Sequence, residues 1–253
     1  MFTARNYVKA ASLEEAWELN QRRSNAILGG GCWMRLAKRR YDTLIDLGDL
    51  RLDGIREENG TIFLGAMTTL REIEESSVLR VAFGAYFKDC TRHIVGVQFR
   101  NCATLGGSVR ARFGFSDVVT ALLPLPGAAV ELYKGGTVPL TDYVQMDYDR
   151  DLLLGVRLHA APCAAVYESV RNSETDLPVL TCAVCKDGQT YRAAIGARPG
   201  RAVLLTGGSL EELSGQAAQL HYASNLRAGA DYRKHLAGVL LKRTMQRLEE
   251  AEL

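Results

Sequence analysis

The stretch Arg100-Asn-Cys-Ala-Thr-Leu-Gly-Gly-Ser-Val-Arg-Ala-Arg-Phe-Gly-Phe-Ser-Asp117 joins a strand-like approach (Ala103, Thr104, Leu105) to the pair Gly106-Gly107 and a small hydroxyl residue, Ser108. Two adjacent glycines let a backbone come close to a bulky neighbour, because no Cβ stands between them. Successive N–H groups in such a bend can also point at an anion. Taken alone, the pair reads equally well as an ordinary tight turn. A second glycine bend upstream, Gly29-Gly30-Gly31, makes a paired anion site the more informative reading.

The upstream bend follows Ala26-Ile27-Leu28, which reads as a buried strand, and precedes a short helical stretch from Trp33 to Lys38. Strand, glycine bend and helix in that order are what a phosphate-binding turn uses, since a helix start carries unpaired N–H groups. Two familiar glycine motifs are excluded. The chain has no GxxxxGK[ST], and Met34 stands where the third glycine of GxGxxG would fall.

Further signals surround these bends. Ser12-Leu-Glu-Glu15, Thr69-Leu-Arg-Glu72 and Ser209-Leu-Glu-Glu212 have the form of capping boxes that open helices. Glu58-Asn59-Gly60 between Ile55 and Leu64 predicts a hairpin, because Asn-Gly tolerates positive φ. One helix is expected over 81–91 and another over 117–125, stopped by Pro126-Gly127. Strands are expected over 129–133 and 152–158. Beyond about Pro162, runs at 165–170, 179–185 and 191–195 predict three antiparallel strands, with helices from Ser209 and over 230–250.

Composition sets the limits. A length of 253 residues allows one large domain or two ordinary ones, and 47% apolar with 24% charged residues is ordinary globular usage. A net charge of +2 argues against nucleic-acid binding through bulk positive charge. No run approaches the roughly 18–20 apolar residues of a membrane span. The opening Met-Phe-Thr-Ala-Arg-Asn-Tyr has no apolar signal core, so a cytoplasmic protein with reduced thiols is expected. Cys182-Ala-Val-Cys185 lies in a strand-like run whose i and i+3 positions face opposite ways, which favours core thiols over a metal pair. The four histidines share no ligand spacing and read as structural or surface residues. Tyr167 reads as a core or cofactor-adjacent residue.

Ile-Leu-Gly-Gly-Gly (27–31), Leu-Ile-Asp-Leu (44–47), Leu-Gly-Ala-Met-Thr-Thr-Leu-Arg-Glu (64–72), Arg-Asn-Cys-Ala-Thr-Leu-Gly-Gly-Ser (100–108) and Asp117 together resemble the flavin-binding subunit of molybdenum hydroxylases. That family includes the medium subunits of xanthine dehydrogenase and carbon monoxide dehydrogenase. Ala-Asp-Tyr-Arg-Lys-His-Leu-Ala (230–237) is similar to the family's C-terminal domain. The resemblance implies an α+β fold: a two-lobed flavin-binding domain of the vanillyl-alcohol-oxidase-like, PCMH type, then a small domain with a three-stranded antiparallel sheet and helices. The implied limits are 1–158, with lobes of about 1–52 and 53–158, and 162–253. FAD is the implied cofactor. Ile27, Leu28, Gly29, Gly30, Gly31, Cys32, Trp33 and Met34 would form one phosphate-facing loop. Thr104, Leu105, Gly106, Gly107 and Ser108 would form the other. The resemblance also implies Asp117 on the adenosine–pyrophosphate side, and Ile94 and Leu153 near the flavin ring.

The implied function is electron transfer, from an iron–sulfur (2Fe-2S) subunit fed by a molybdopterin-containing large subunit, through FAD, to NAD or another acceptor. No catalytic or metal-binding side chain is expected in this chain. A self-contained flavin oxidase or reductase and a non-flavin assembly or scaffold subunit are the alternatives. Cys32-Trp33 stands where the family has Thr-Asp, Ser108 where it has Asn, and Arg110-Ala-Arg-Phe-Gly114 where it has a small, polar segment. Arg110 and Arg112 read as solvated or partner-facing cations, with reinforcement of a phosphate as the other reading.

Overall fold

The computed structural model describes residues 1–161 and 163–250. The domain boundary expected at 162 and the chain end at 251–253 lie outside the described residues. Three sheets organise the molecule. The first is parallel, in the order β1-β3-β2, from β1 (Thr3–Lys9), β2 (Ala26–Leu28) and β3 (Arg40–Asp46). Helix α1 (Leu13–Asn20) makes the crossover from β1 to β2 and buries Ala16 against Ile45 and Leu47. Ser12 caps α1 by accepting from the Glu15 amide, while the Glu15 carboxylate reaches the amide of Ala11.

The second sheet has five antiparallel strands in the order β4-β5-β8-β6-β7. They are β4 (Ile55–Glu58), β5 (Thr61–Gly65), β6 (Ala129–Leu132), β7 (Gly136–Pro139) and β8 (Leu153–His159). Asn59 and Gly60 turn β4 into β5 with φ of +51° and +74°, the double left-handed geometry that the Asn-Gly pair predicts. Helices α2 (Leu70–Glu75), α3 (Ser77–Phe83), α4 (Tyr86–Thr91), α5 (Val97–Arg100), α6 (Leu105–Arg110), α7 (Asp117–Leu122) and α8 (Leu140–Gln145) accompany this sheet. The box at Thr69 and Glu72 is complete, each side chain accepting from the other residue's amide. The single helix expected over 81–91 is instead two. Gly84 takes φ +60°, which ends α3 before Tyr86 starts α4.

The third sheet corrects the expectation of three strands. It has four, in the order β12-β11-β10-β9: β9 (Ala165–Val170), β10 (Leu180–Asp187), β11 (Thr190–Gly196) and β12 (Val203–Gly207). Strand β12 is a five-residue edge segment with no clean apolar alternation; pairing of Ala193 with Leu205 makes it a strand. One face of this sheet packs on α9 (Leu210–Ala218) and α10 (Ala230–Glu250). The other face contributes Tyr167, Ala183, Cys185 and Ala194 to the core of the five-stranded region. Cys182 and Cys185 therefore serve different cores, as their spacing implies.

The expectation of reduced thiols throughout is corrected as well, because Cys163 is joined to Cys185 by a disulfide. Pairing of Ala165 with Cys185 brings Cys163, two residues before β9, alongside β10, although 22 positions separate the cysteines. Arg233 is the largest fully buried side chain, and its guanidinium stitches α10 to the rest of the C-terminal region. It donates to the carbonyls of Val179 (2.9 Å), Ala223 (2.6 Å) and Ala228 (2.8 Å) and to Asn225 Oδ1 (2.7 Å). Arg233→Leu would strand these acceptors without water. The expected loss is about 3 kcal/mol or more, or roughly 6–12 °C in Tm, read by thermal unfolding.

Candidate functional site

Gly30 and Gly31 both adopt left-handed φ, +70° and +68°. Gly30 also lies directly on the Cys102 carbonyl: a Cβ there would sit 1.8 Å from its oxygen. The upstream bend is thus seated on the residues that lead into α6, and only glycine permits the seat. Among the described residues, the amides of Gly30, Gly31 and Trp33 donate to no acceptor. They form a short run of free N–H groups at the edge of a cavity, suited to an anionic ligand.

The second glycine pair behaves differently from the expected bend. Gly106 and Gly107 lie within the first turn of α6, which Thr104 caps by accepting from the Gly107 amide at 3.1 Å. Leu105 donates to Thr68 O, Gly106 to Ala66 O and Ser108 to Thr104 O, so these amides are all engaged within the protein. The pair acts through missing side chains instead. A Cβ on Gly106 would meet Ala66 O at 2.8 Å, and one on Gly107 would stand 3.6 Å from Gly29 O. The first glycine run therefore offers donors, and the second offers a close-fitting wall.

Between these segments, β8 and the loop after β9 lies a cavity of about 500 Å³, in the size range of small-molecule and cofactor sites. Ile27, Gly29, Gly31, Cys32, Trp33 and Met34 line one side. Thr104, Gly106, Gly107 and Ser108 line another, and Ile94, Asp117 and Leu153 complete the expected set that reaches it. Leu28, Gly30 and Leu105 do not line it. Leu105 is fully buried in the core of the five-stranded region, Gly30 is covered by Cys102, and the Leu28 side chain lies against Gly31.

Asp117 is buried, and its Oδ1 accepts from both the Tyr167 hydroxyl and Arg171 Nη2. Burial raises the Asp117 carboxyl above the ordinary aspartate value, and the Arg171 guanidinium opposes that rise. Burial likewise pushes the Tyr167 phenol well up, so its proton stays on the hydroxyl that bonds Asp117. Tyr167 is thus a core residue that also fixes a cavity residue.

Arg171 was not legible as a site residue. It is a lone cation 54 positions from the carboxylate it meets, and only the packing of β9 on α4, and of the neighbouring β10 on α7, joins them. The loop after β9, which puts Thr175, Asp176 and Leu177 on the cavity, carries no local sequence signal for the same reason. His93 also reaches the cavity wall, where burial and Arg92 hold its imidazole below the usual histidine value.

In the 110–114 segment the reading of Arg112 as a solvated or partner-facing cation is overturned. Arg112 is only 3% exposed, with its guanidinium 3.9 Å from the Tyr143 ring centre. It donates to Met146 O and Asp147 O, each at 2.8 Å, and to Asp149 Oδ2. Its own φ of +48° turns the chain so that it can. Arg110 donates to the Asp149 carbonyl and carboxylate. Trp33, Phe113 and Phe115 form an aromatic cluster on the cavity, with ring centres 5.0–5.6 Å apart.

Comparison with known proteins supplies the class. Residues 2–158 match the family described as FAD binding domain in molybdopterin dehydrogenase. YgfM of Escherichia coli (strain K12) is 28% identical over 250 residues, covering 93% of each chain. The carbon monoxide dehydrogenase medium chain of Afipia carboxidovorans is 28% identical over 253 residues, covering 87% of each. A chain of Cu,Mo-CO dehydrogenase in its cyanide-inactivated form superposes with a TM-score of 0.85 at 25% identity, covering 98% of both chains. The fold and its glycine-walled cavity are those of a flavin-binding oxidoreductase subunit. The chain belongs to the family of FAD-binding domains of molybdopterin dehydrogenases, and FAD is its cofactor.

Two outcomes test this geometry. Gly30→Ala should push the bend off Cys102, destabilise the chain by more than about 1 kcal/mol and weaken FAD binding at least tenfold in a fluorescence titration. The second concerns the loop after β9, where Asp176 accepts from Arg227 at 2.7 and 3.0 Å. That pairing lowers the Asp176 carboxyl below the ordinary value. A lowered folded-state value means the tether is at full strength above the unfolded value of about 3.9 and is lost as pH falls through the lower, folded one. Protection factors of 171–177 against hydrogen exchange should be constant from pH 8 to about 5 and fall below about 4, while Arg227→Gln should show low protection throughout.

Proposed function

We propose that this chain is the electron-transferring flavin subunit of a cytoplasmic molybdenum hydroxylase. In this reading it takes electrons from an iron–sulfur subunit, itself fed by a molybdopterin-containing large subunit, and delivers them to NAD or another acceptor. The observation that carries the reading is the run of free amides at Gly30, Gly31 and Trp33 beside a cavity walled by Gly106 and Gly107. The relatives named as medium chains of carbon monoxide dehydrogenase support the assignment to a multi-subunit enzyme. Residues 1–158 would then be the FAD-binding domain and 162–253 the C-terminal domain.

FAD, when bound, supplies the electron-accepting and electron-donating chemistry. The chain's own residues position and enclose it. The free amides on the first glycine run donate toward the pyrophosphate, where glycines leave room for close approach. Ile94 and Leu153 present apolar surface to the flavin ring and keep water from it. Asp117 spends Oδ1 on Tyr167 and Arg171, while Oδ2 has no partner among the described residues and is available to accept from a ligand hydroxyl or N–H. Arg171 opposes the upward pull of burial on that carboxyl and holds it in place.

The purified chain should show flavin absorption in the visible and release FAD on denaturation. Co-expressed with its neighbours, it should co-purify with an iron–sulfur protein and a molybdopterin protein. A colourless chain that takes up no added FAD would refute the reading. Turnover by the isolated chain on a small substrate, with no associated subunit, would replace it with a self-contained flavin enzyme.

A further inference from the structure

Arg110 sits on α6 three positions after Gly107 and four after Gly106, so a helical repeat puts all three on one face, and all three line the cavity. One edge of its guanidinium is occupied: Nη2 donates to the Asp149 carbonyl and to Asp149 Oδ1. Nη1 is buried and has no hydrogen-bond partner among the described residues. A buried guanidinium nitrogen without an acceptor is costly unless a ligand supplies one.

The surroundings leave a surplus of positive charge for that ligand. Arg110 and Arg112 share the single carboxylate of Asp149. Arg150 lies nearby, its guanidinium pKa lowered first by burial and then by the charge of Arg110, and it spends its own donors on Asn20, Arg22 and Asn25. Asp151, also on the cavity, accepts from the amides of Lys134, Gly135 and Leu152 and makes no ion pair with Arg110 among the described residues. The first turn of α6 packs on the Gly29 carbonyl, which brings the upstream bend and its free amides to the same cavity. Neutral donors and a half-engaged guanidinium on one cavity define a site for a multiply charged phosphate.

We propose that Arg110 is an anion-binding residue that holds the pyrophosphate of the dinucleotide cofactor, with Asp149 and the Tyr148 ring, whose centre lies 5.9 Å from the guanidinium, fixing its orientation from behind. The proposal rests on FAD being the cavity's ligand and adds to it a charged contact from this chain. Arg112, buried on Tyr143 with its Nη donors committed to the 146–149 loop, is structural and takes no part.

The test titrates the full chain, stripped of flavin, with FAD and with riboflavin, which lacks phosphate, following flavin fluorescence. Arg110→Gln should raise the FAD Kd by about ten- to a hundredfold, as loss of a charge-assisted contact does, and leave the riboflavin Kd within about twofold. Arg110→Lys should recover part of the FAD affinity, because a point charge replaces a fork. Inorganic pyrophosphate should compete with FAD on the wild type and at least tenfold less well on Arg110→Gln. Equal weakening of FAD and riboflavin, accompanied by a lower Tm, would show that Arg110 only braces the 146–149 loop and would overturn the proposal. So would an unchanged FAD Kd. A wild type that binds neither flavin would refute the FAD reading itself. Calorimetry with inorganic pyrophosphate would then still decide on Arg110: binding lost in Arg110→Gln supports an anion site, and absent or unchanged binding overturns it.

Discussion

A carbonyl oxygen pressed against an α-carbon holds this site together. The Cys102 oxygen occupies the space where any side chain at position 30 would begin, and the left-handed turn at Gly30 and Gly31 follows from that contact. Everything on the cavity's rim inherits the geometry. The turn frees a run of amides from internal pairing, orients Cys32 to Met34 toward the cavity, and brings Gly29 against the first turn of α6. The parallel sheet and the five-stranded region come into close backbone contact there, and the ligand site is the seam beside it.

A second seam is ionic. Asp117 opens α7 from a buried position, and its carboxylate is shared between Tyr167 on β9 and Arg171 just beyond it. Burying a carboxylate is unfavourable unless it is paired and hydrogen-bonded. Here both conditions are met by residues of the C-terminal sheet, so that sheet has a part in the site as well as in the core. Its inner face completes the main core through Tyr167, Ala183, Cys185 and Ala194, and its outer end supplies the loop that carries Asp176 and Leu177 to the cavity.

Arg110 and Arg112 show how little a local charge pattern says about its environment. They sit two residues apart in one short segment. One is sealed under Tyr143 and the other is divided between a loop carboxylate and the cavity. The difference comes from the end of α6. Arg110 is still in the helix and follows its cavity-facing side, whereas Arg112 lies past it, at positive φ, and turns back into the 146–149 loop.

Local chemistry alone settles much of this protein. The Asn-Gly hairpin, the caps at Ser12, Thr69 and Ser209, the glycine runs and their order along the chain follow from φ preferences and side-chain reach, which depend on neighbours a few positions away. The ordered motifs were also enough to identify the flavin-binding family, and 13 of the 16 residues they point to line the cavity. Contacts across long separations were decided by the tertiary structure. They include the fourth strand of the C-terminal sheet, the Cys163–Cys185 pairing, and Arg171 on Asp117. The two glycine runs, alike in sequence, also parted roles there. One keeps its amides free because its neighbour is a single carbonyl, and the other loses them to Thr68, Ala66 and Thr104 because it is the start of a helix. Whether a backbone donor is available depends on which acceptors the fold brings within about 3 Å, and residue type does not encode that.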